Sequence, residues 1–107
     1  MAVKHLISDN YKILETNWRF SRAEIDIIAK QGEILVFLEV KTRSYAFYGQ
    51  PEEAVTEKQE RLIMDAAQRY MEKIGHEWEI RFDIISIIID KNKALSRLEH
   101  FKDAFFA

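Results

Sequence analysis

The sequence predicts an α/β domain, a mixed β-sheet flanked by helices in the order α-β-β-α-β. Three observations carry this. Two β-forming segments, residues 24–29 and 37–41, flank a short turn at Lys30-Gln31-Gly32-Glu33. A stripe of apolar residues at helical spacing, opened by a capping signal, covers residues 56–74. An isoleucine-rich run over residues 80–89 is long enough for a central strand.

Taken in order, Ala2, Leu6, Ile7 and Leu14 fall at roughly helical spacing. They predict a short opening helix, followed by an extended segment near residues 11–13. A hairpin then occupies about residues 20–41. Its strands carry Ile25, Ile27, Val36, Leu38 and Val40, as a sheet covered on both faces requires. Residues 44–51 hold a glycine, the only proline and the aromatics Tyr45, Phe47 and Tyr48, and read as a loop. Thr56 and Gln59 form a capping box with Thr56 as N-cap. Ala54, Leu62, Ala66, Tyr70 and Ile74, widened by Ile63, Ala67 and Met71, make the apolar face of the helix. Gly75 supplies a left-handed stop. Residues 78–89 form the next strand, Lys91-Asn92-Lys93 a turn, and a tail with Leu95, Leu98, Phe101, Phe105 and Phe106 closes the chain.

Composition bounds the function. The 107 residues amount to one domain. An apolar content of 48% suits a globular core. No cysteine is present, which removes disulfides, thiolate metal sites and cysteine nucleophiles and agrees with a cytoplasmic setting. No apolar run reaches the length of a membrane span, so no membrane contact is expected. The net charge of −2 is not the footprint of a tight, non-specific DNA binder. Any contact with nucleic acid rests on a local basic patch.

The hairpin holds the most specific chemistry. Side chains alternate faces along a strand, so Glu24, Asp26 and Ile28 share one face and Leu35, Phe37, Glu39 and Lys41 share one face of the partner. A two-residue turn at Gln31-Gly32 pairs Asp26 with Phe37 and Glu24 with Glu39. It sets Asp26 diagonal to Glu39, about 7–8 Å away. A four-residue turn keeps these faces; a three-residue turn swaps them. Two carboxylates and a lysine so placed suit a site that holds a divalent cation and cuts phosphodiesters. The competing reading is an amphipathic hairpin with a solvated charged face. Against it, Glu24 opposite Glu39 is repulsive unless a cation sits between them.

Beyond the hairpin, Asn17-Trp18-Arg19, Ala23-Glu24-Ile25-Asp26, Leu38-Glu39-Val40-Lys41-Thr42-Arg43, Tyr48-Gly49, Lys58-Gln59, Arg81-Phe82-Asp83 and His100-Phe101-Lys102-Asp103-Ala104-Phe105 together resemble the YraN-like family. That family is similar to archaeal Holliday junction resolvases and implies a restriction-endonuclease-like core of the PD-(D/E)xK kind. The resemblance implies Asp26 and Glu39 as ligands of Mg²⁺ or Mn²⁺, the Val40 carbonyl as a third, and Lys41 as the group that orients the attacking water or meets developing phosphorane charge. It places Glu24 beside them, brings Lys58 and Gln59 toward the site from the start of the helix, and makes Arg43 a candidate phosphate contact. It also implies branched DNA as partner and a homodimer as assembly. Family members carry a Gly-Glu pair just before the segment matching Ala2 to Leu6, and Ala23 stands where the family has glycine.

Other candidates read as structural. Gln59 is accounted for by capping, Arg61 and Arg69 by solvated surface, and Asp83 by an ion pair with Arg81 or Arg43. His5, His76 and His100 show no ligand spacing. Two functions therefore compete: a metal-dependent endonuclease on branched or flapped DNA, and a non-catalytic nucleic-acid-binding or adaptor protein with a weakened site. A third reading makes the domain a protein-interaction module.

Overall fold

In the computed structural model, residues 2–44, 56–92 and 94–104 are described. The elements are α1 (Ala2–Ser8), β1 (Lys12–Phe20), β2 (Ala23–Gln31), β3 (Ile34–Ser44), α2 (Glu57–Ile74), β4 (Ile80–Ile89) and β5 (Leu95–Phe101). The five strands form one sheet in sequence order, antiparallel except for the parallel pair β3–β4. A parallel pair needs a crossover, and α2 lies in the chain between these two strands.

Both faces of the sheet are covered. On one face, Ile28, Leu35, Phe37, Phe82 and Ile84 pack with Ile63, Ala66, Ala67 and Tyr70 of α2. On the other, Ile27, Ala29, Val36, Leu38, Ile85 and Ile87 pack with Ala2 and Leu6 of α1. The mixed α/β class is as the sequence predicts. Two strands are additions to it. In place of β1 the sequence predicts only an extended stretch near residues 11–13, and in place of β5 a tail. β1 and β5 are edge strands, each paired on one side only. A register shift between Ile13 and Glu15 and a positive φ of 51° at Asn17 further break the period of β1.

The hairpin turn is Gly32-Glu33, one residue later than Gln31-Gly32, so that Gln31 pairs with Ile34. Gly32 has φ 60°, as the first position of a two-residue turn with Gly leading requires. The pairing therefore slides by two residues, which keeps Leu35, Phe37 and Glu39 on the α2 face. The expected alternation breaks in β2, where Ile25 joins Ile28 in the α2-side core and Asp26 lines the groove beside α1 with Ile27. The slide also removes two expected pairs. Phe37 lies opposite Ile28 rather than Asp26, and Glu24 lies opposite Arg19 on β1 rather than Glu39.

Helix α2 begins and ends as its sequence dictates. Thr56 accepts from the Gln59 amide while the Gln59 side chain accepts from the Thr56 amide, and Gly75 closes the helix at φ 68°. Ile63, Ala66, Ala67 and Tyr70 are buried, but Ile74 is 42% exposed and lies off the core face. Strand β4 starts at Ile80; Trp78 precedes it and is half exposed. Of the expected loop, Ser44 ends β3, and Tyr45, Phe47 and Tyr48 lie outside the described residues.

Candidate functional site

The β2–β3 ladder runs from Gln31–Ile34 up to Ile27–Leu38. The next residues along the two strands are Asp26 and Glu39, and there the ladder stops. Asp26 Oδ2 accepts the Val40 N–H at 2.7 Å, so a side-chain carboxylate takes a backbone donor that a further ladder bond would otherwise use. Glu39 is buried, and its Oε1 has no hydrogen-bond partner among the described residues.

Burial shapes the electrostatics of this pair. It raises the pKa of Asp26 above the usual carboxylate value, opposed by the Val40 N–H and reinforced by the charge of Glu24. It pushes Glu39 up to about 7, with the charge of Asp26 as the next contribution, Lys41 opposing and Glu24 adding. Glu24, Asp26, Glu39 and Lys41 thus form one coupled group. Lys41 is half-buried two residues beyond Glu39 on the same face of β3.

The pair opens on two sides. Asp26 lines a groove with Ala2 and Val3 of α1, Thr16 and Asn17 of β1, and Val40. Glu39 lines a smaller cleft with Arg22, Glu24, Gln59, Leu62 and Ile63. The carboxylates therefore stand where β2 and β3 part, reachable from both faces of the sheet.

The structure sorts the remaining candidates. Glu24 forms a 2.8 Å ion pair with the exposed Arg19, and it also lines the Glu39 cleft. Gln59 does both things asked of it, since it completes the capping box and borders the same cleft. Lys58 is exposed in the first turn of α2, outside the residues that line the cleft. Arg43 is half-buried further along β3, in register with Ile88. Arg69 is a surface residue beside Glu72, with its guanidinium over the Phe20 ring. Asp83 is fully buried and paired with Arg81 through two 2.9 Å bonds, a structural role. The imidazole of His76 bonds the Glu79 carbonyl at 2.9 Å.

Sequence reasoning left Arg22, Thr16 and Asn17 unplaced as neighbours of the site. All three sit on β1 or its turn into β2. Recognising Lys12–Phe20 as an edge strand is the signal that brings them alongside Asp26 and Glu24.

The donor set tests well against a cation. Carboxylate oxygens are the ligands hard divalent ions prefer. A buried oxygen without a donor, beside a second carboxylate, is costly unless it is protonated or meets a positive charge. Glu39 supplies that oxygen and Asp26 is the second carboxylate.

Fold and site together define a mixed α/β domain, helices on both faces, with buried Glu39 and half-buried Asp26 where two central strands separate. The chain belongs to the uncharacterised protein family UPF0102, whose family model matches residues 1–87. It is 47% identical over 106 residues to a UPF0102 protein of Christiangramia forsetii, covering 99% of this chain and 87% of that protein. It is 43% identical over 106 residues to a UPF0102 protein of Flavobacterium psychrophilum, with the same coverage of 99% and 87%. It is 39% identical over 105 residues to one of Porphyromonas gingivalis, covering 98% and 78%. Among the described residues, no helix is long and apolar enough to cross a membrane.

Proposed function

We propose that this protein is a cytoplasmic endonuclease dependent on Mg²⁺ or Mn²⁺ that acts on branched or flapped DNA. One observation carries the reading: the buried, partnerless Glu39 oxygen beside Asp26, with Lys41 on the same strand face. In this reading Asp26, Glu39 and the Val40 carbonyl hold the ion. The bond from the Val40 N–H fixes the Asp26 carboxylate, so that it needs no reorganisation when the ion arrives. A bound divalent cation supplies Lewis-acid charge at the phosphodiester.

The chain's own residues do the rest. Lys41 presents a compact positive charge that offsets the charge developing on the attacked phosphate. Glu39 must be ionised to serve as a ligand, so occupation of the site releases its proton near neutral pH. Gln59 and Arg22 at the rim of the cleft offer polar contacts to the backbone of the nucleic acid. Arg43, further along β3, is a phosphate contact on the same strand, and Lys58 is an outlying one on α2. A homodimer lets two such sites address the two strands of a branch point.

The net charge of −2 favours a second reading, a non-catalytic binder of nucleic acid that keeps the fold. One experiment separates them. The protein and its Asp26→Asn variant are incubated with junction, flap, nicked and single-stranded DNA in Mn²⁺. Cleavage by the parent alone supports the nuclease. Binding of branched DNA without cleavage in either protein supports the binder.

A further inference from the structure

We infer that His5, Asp9 and His100 form a second, separate metal site, built for Zn²⁺ or a similar nitrogen-preferring ion. One ligand atom from each of these residues lies within 4.8 Å of one from each of the others. His5 and Asp9 are four residues apart, which sets them on one side of the end of α1. His100 comes from β5, in register with Ile85 and, through it, with Val40. The helix and the far strand thus converge on one point, although nothing in the linear spacing of the histidines announces it.

The two imidazoles carry the argument. Each has a buried ring nitrogen with no hydrogen-bond partner, Nε2 in His5 and Nδ1 in His100. The rings meet edge-on, with centroids 5.7 Å apart. The His100 side chain is only 7% exposed, and its Nε2 lies 2.7 Å from Asp83 Oδ2. Asp83 is completely buried and also accepts from Arg81 and from the Asp103 amide. Those donors keep it an ionised acceptor, so the proton of His100 sits on Nε2. That leaves the Nδ1 lone pair free to bind a cation.

A carboxylate behind a ligating histidine is the usual support for a metal site, because it fixes the tautomer and the ring plane. Here the support is itself anchored, since Arg81 holds Asp83 with two bonds and reaches the Tyr11 hydroxyl at 2.6 Å. Two imidazole nitrogens and one carboxylate leave a position open, and this donor set suits Zn²⁺ better than Mg²⁺. Ligand atoms bind Zn²⁺ at about 2.0–2.2 Å, so the exposed Asp9 has a short way to close. An ion there ties α1 to β5. Because Ala2 and Val3 wall the Asp26 groove, it also steadies that wall.

Co²⁺ serves as the spectroscopic probe for such a site. The metal-free protein is titrated with Co²⁺ and followed by its visible ligand-field absorption, alongside His5→Ala, Asp9→Asn and Asp26→Asn. The first two variants leave every partner of the buried Asp83 in place, and thermal melts confirm that each is folded. The parent and Asp26→Asn should develop the same intense, low-symmetry spectrum. His5→Ala should bind far more weakly, by more than the roughly 10–100-fold lost with an outer partner, and Asp9→Asn should weaken it as well. Zn²⁺ should raise the melting temperature of the parent but not of His5→Ala. The inference is overturned if the parent binds no Co²⁺, if His5→Ala binds it unchanged, or if only Asp26→Asn abolishes the spectrum.

Discussion

The Asp26 carboxylate accepts the Val40 N–H at 2.7 Å, at the step where the ladder between their strands ends. This bond turns a gap in the sheet into a seat for charge. Asp26 is fixed beside Glu39, and both are held in surroundings that disfavour two negative charges. The chemistry proposed for the protein depends on that seat, and the first expectation is thermodynamic.

Glu39 has its pKa raised from 4.5 to about 7 in the fold. Between these values the folded state keeps a proton that the unfolded state has lost, so stability falls as pH rises from about 4.5 to 7 and levels off above. The penalty at pH 8 is at most on the order of 3 kcal/mol. Glu39→Gln should therefore be more stable than the parent at pH 8 and close to it below pH 5. Urea unfolding at the two pH values measures the difference; a variant less stable at pH 8 means that Glu39 is already neutralised by a partner.

Lys41→Ala should lose cleavage by at least about 10²-fold, as when a single charge-stabilising donor is removed. It should still bind Mn²⁺, since a protonated lysine is no ligand. Cleavage at the parental rate would reduce Lys41 to surface charge.

Binding to duplex DNA should be weak, with a shallow salt dependence. Lys41 and Arg43 offer few phosphate contacts, and two or three of them give a slope of about −2 to −3 in log K against log salt. Fluorescence anisotropy over a salt series measures the slope. Tight binding to plain duplex at 200 mM salt, roughly physiological ionic strength, would contradict the small basic patch.

Asp83→Ala should destabilise the fold by about 3–5 kcal/mol, because it leaves Arg81 facing a buried gap. Burial pushes Asp83 up, but bonds from His100, Arg81 and the Asp103 amide outweigh it and hold its pKa below 3.8. Its contribution is therefore complete above about pH 4 and is lost as pH falls through the lower folded value. Urea melts at neutral pH and an acid titration test both statements.

The elements with strong local signals were legible in the sequence. Thr56, Gln59 and Gly75 mark the limits of α2, and the isoleucines of β4 mark a central strand. The two acidic residues were legible too, but not their placement, because a break in the alternation of β2 sets Asp26 toward α1 while Glu39 meets α2. What stayed hidden was set by tertiary context. The hairpin slid by two residues because Gly32 leads the turn, which took Glu24 away from Glu39 and left it beyond the end of the β2–β3 ladder. The edge strands β1 and β5 carry mixed polar sequences, since only one side of each meets the sheet. Without β1, Arg22 and Asn17 had no place, and without β5, His100 could not be set against His5.

The most direct measurement is a Mn²⁺ titration at pH 8, followed by loss of the free-ion paramagnetic resonance signal, for the parent, Asp26→Asn and Glu39→Gln. The parent should bind one ion at this pair, more tightly at pH 8 than at pH 6, and both variants should lose that site. No binding by the parent, or equal affinity in all three proteins, would contradict a metal centre at Asp26 and Glu39.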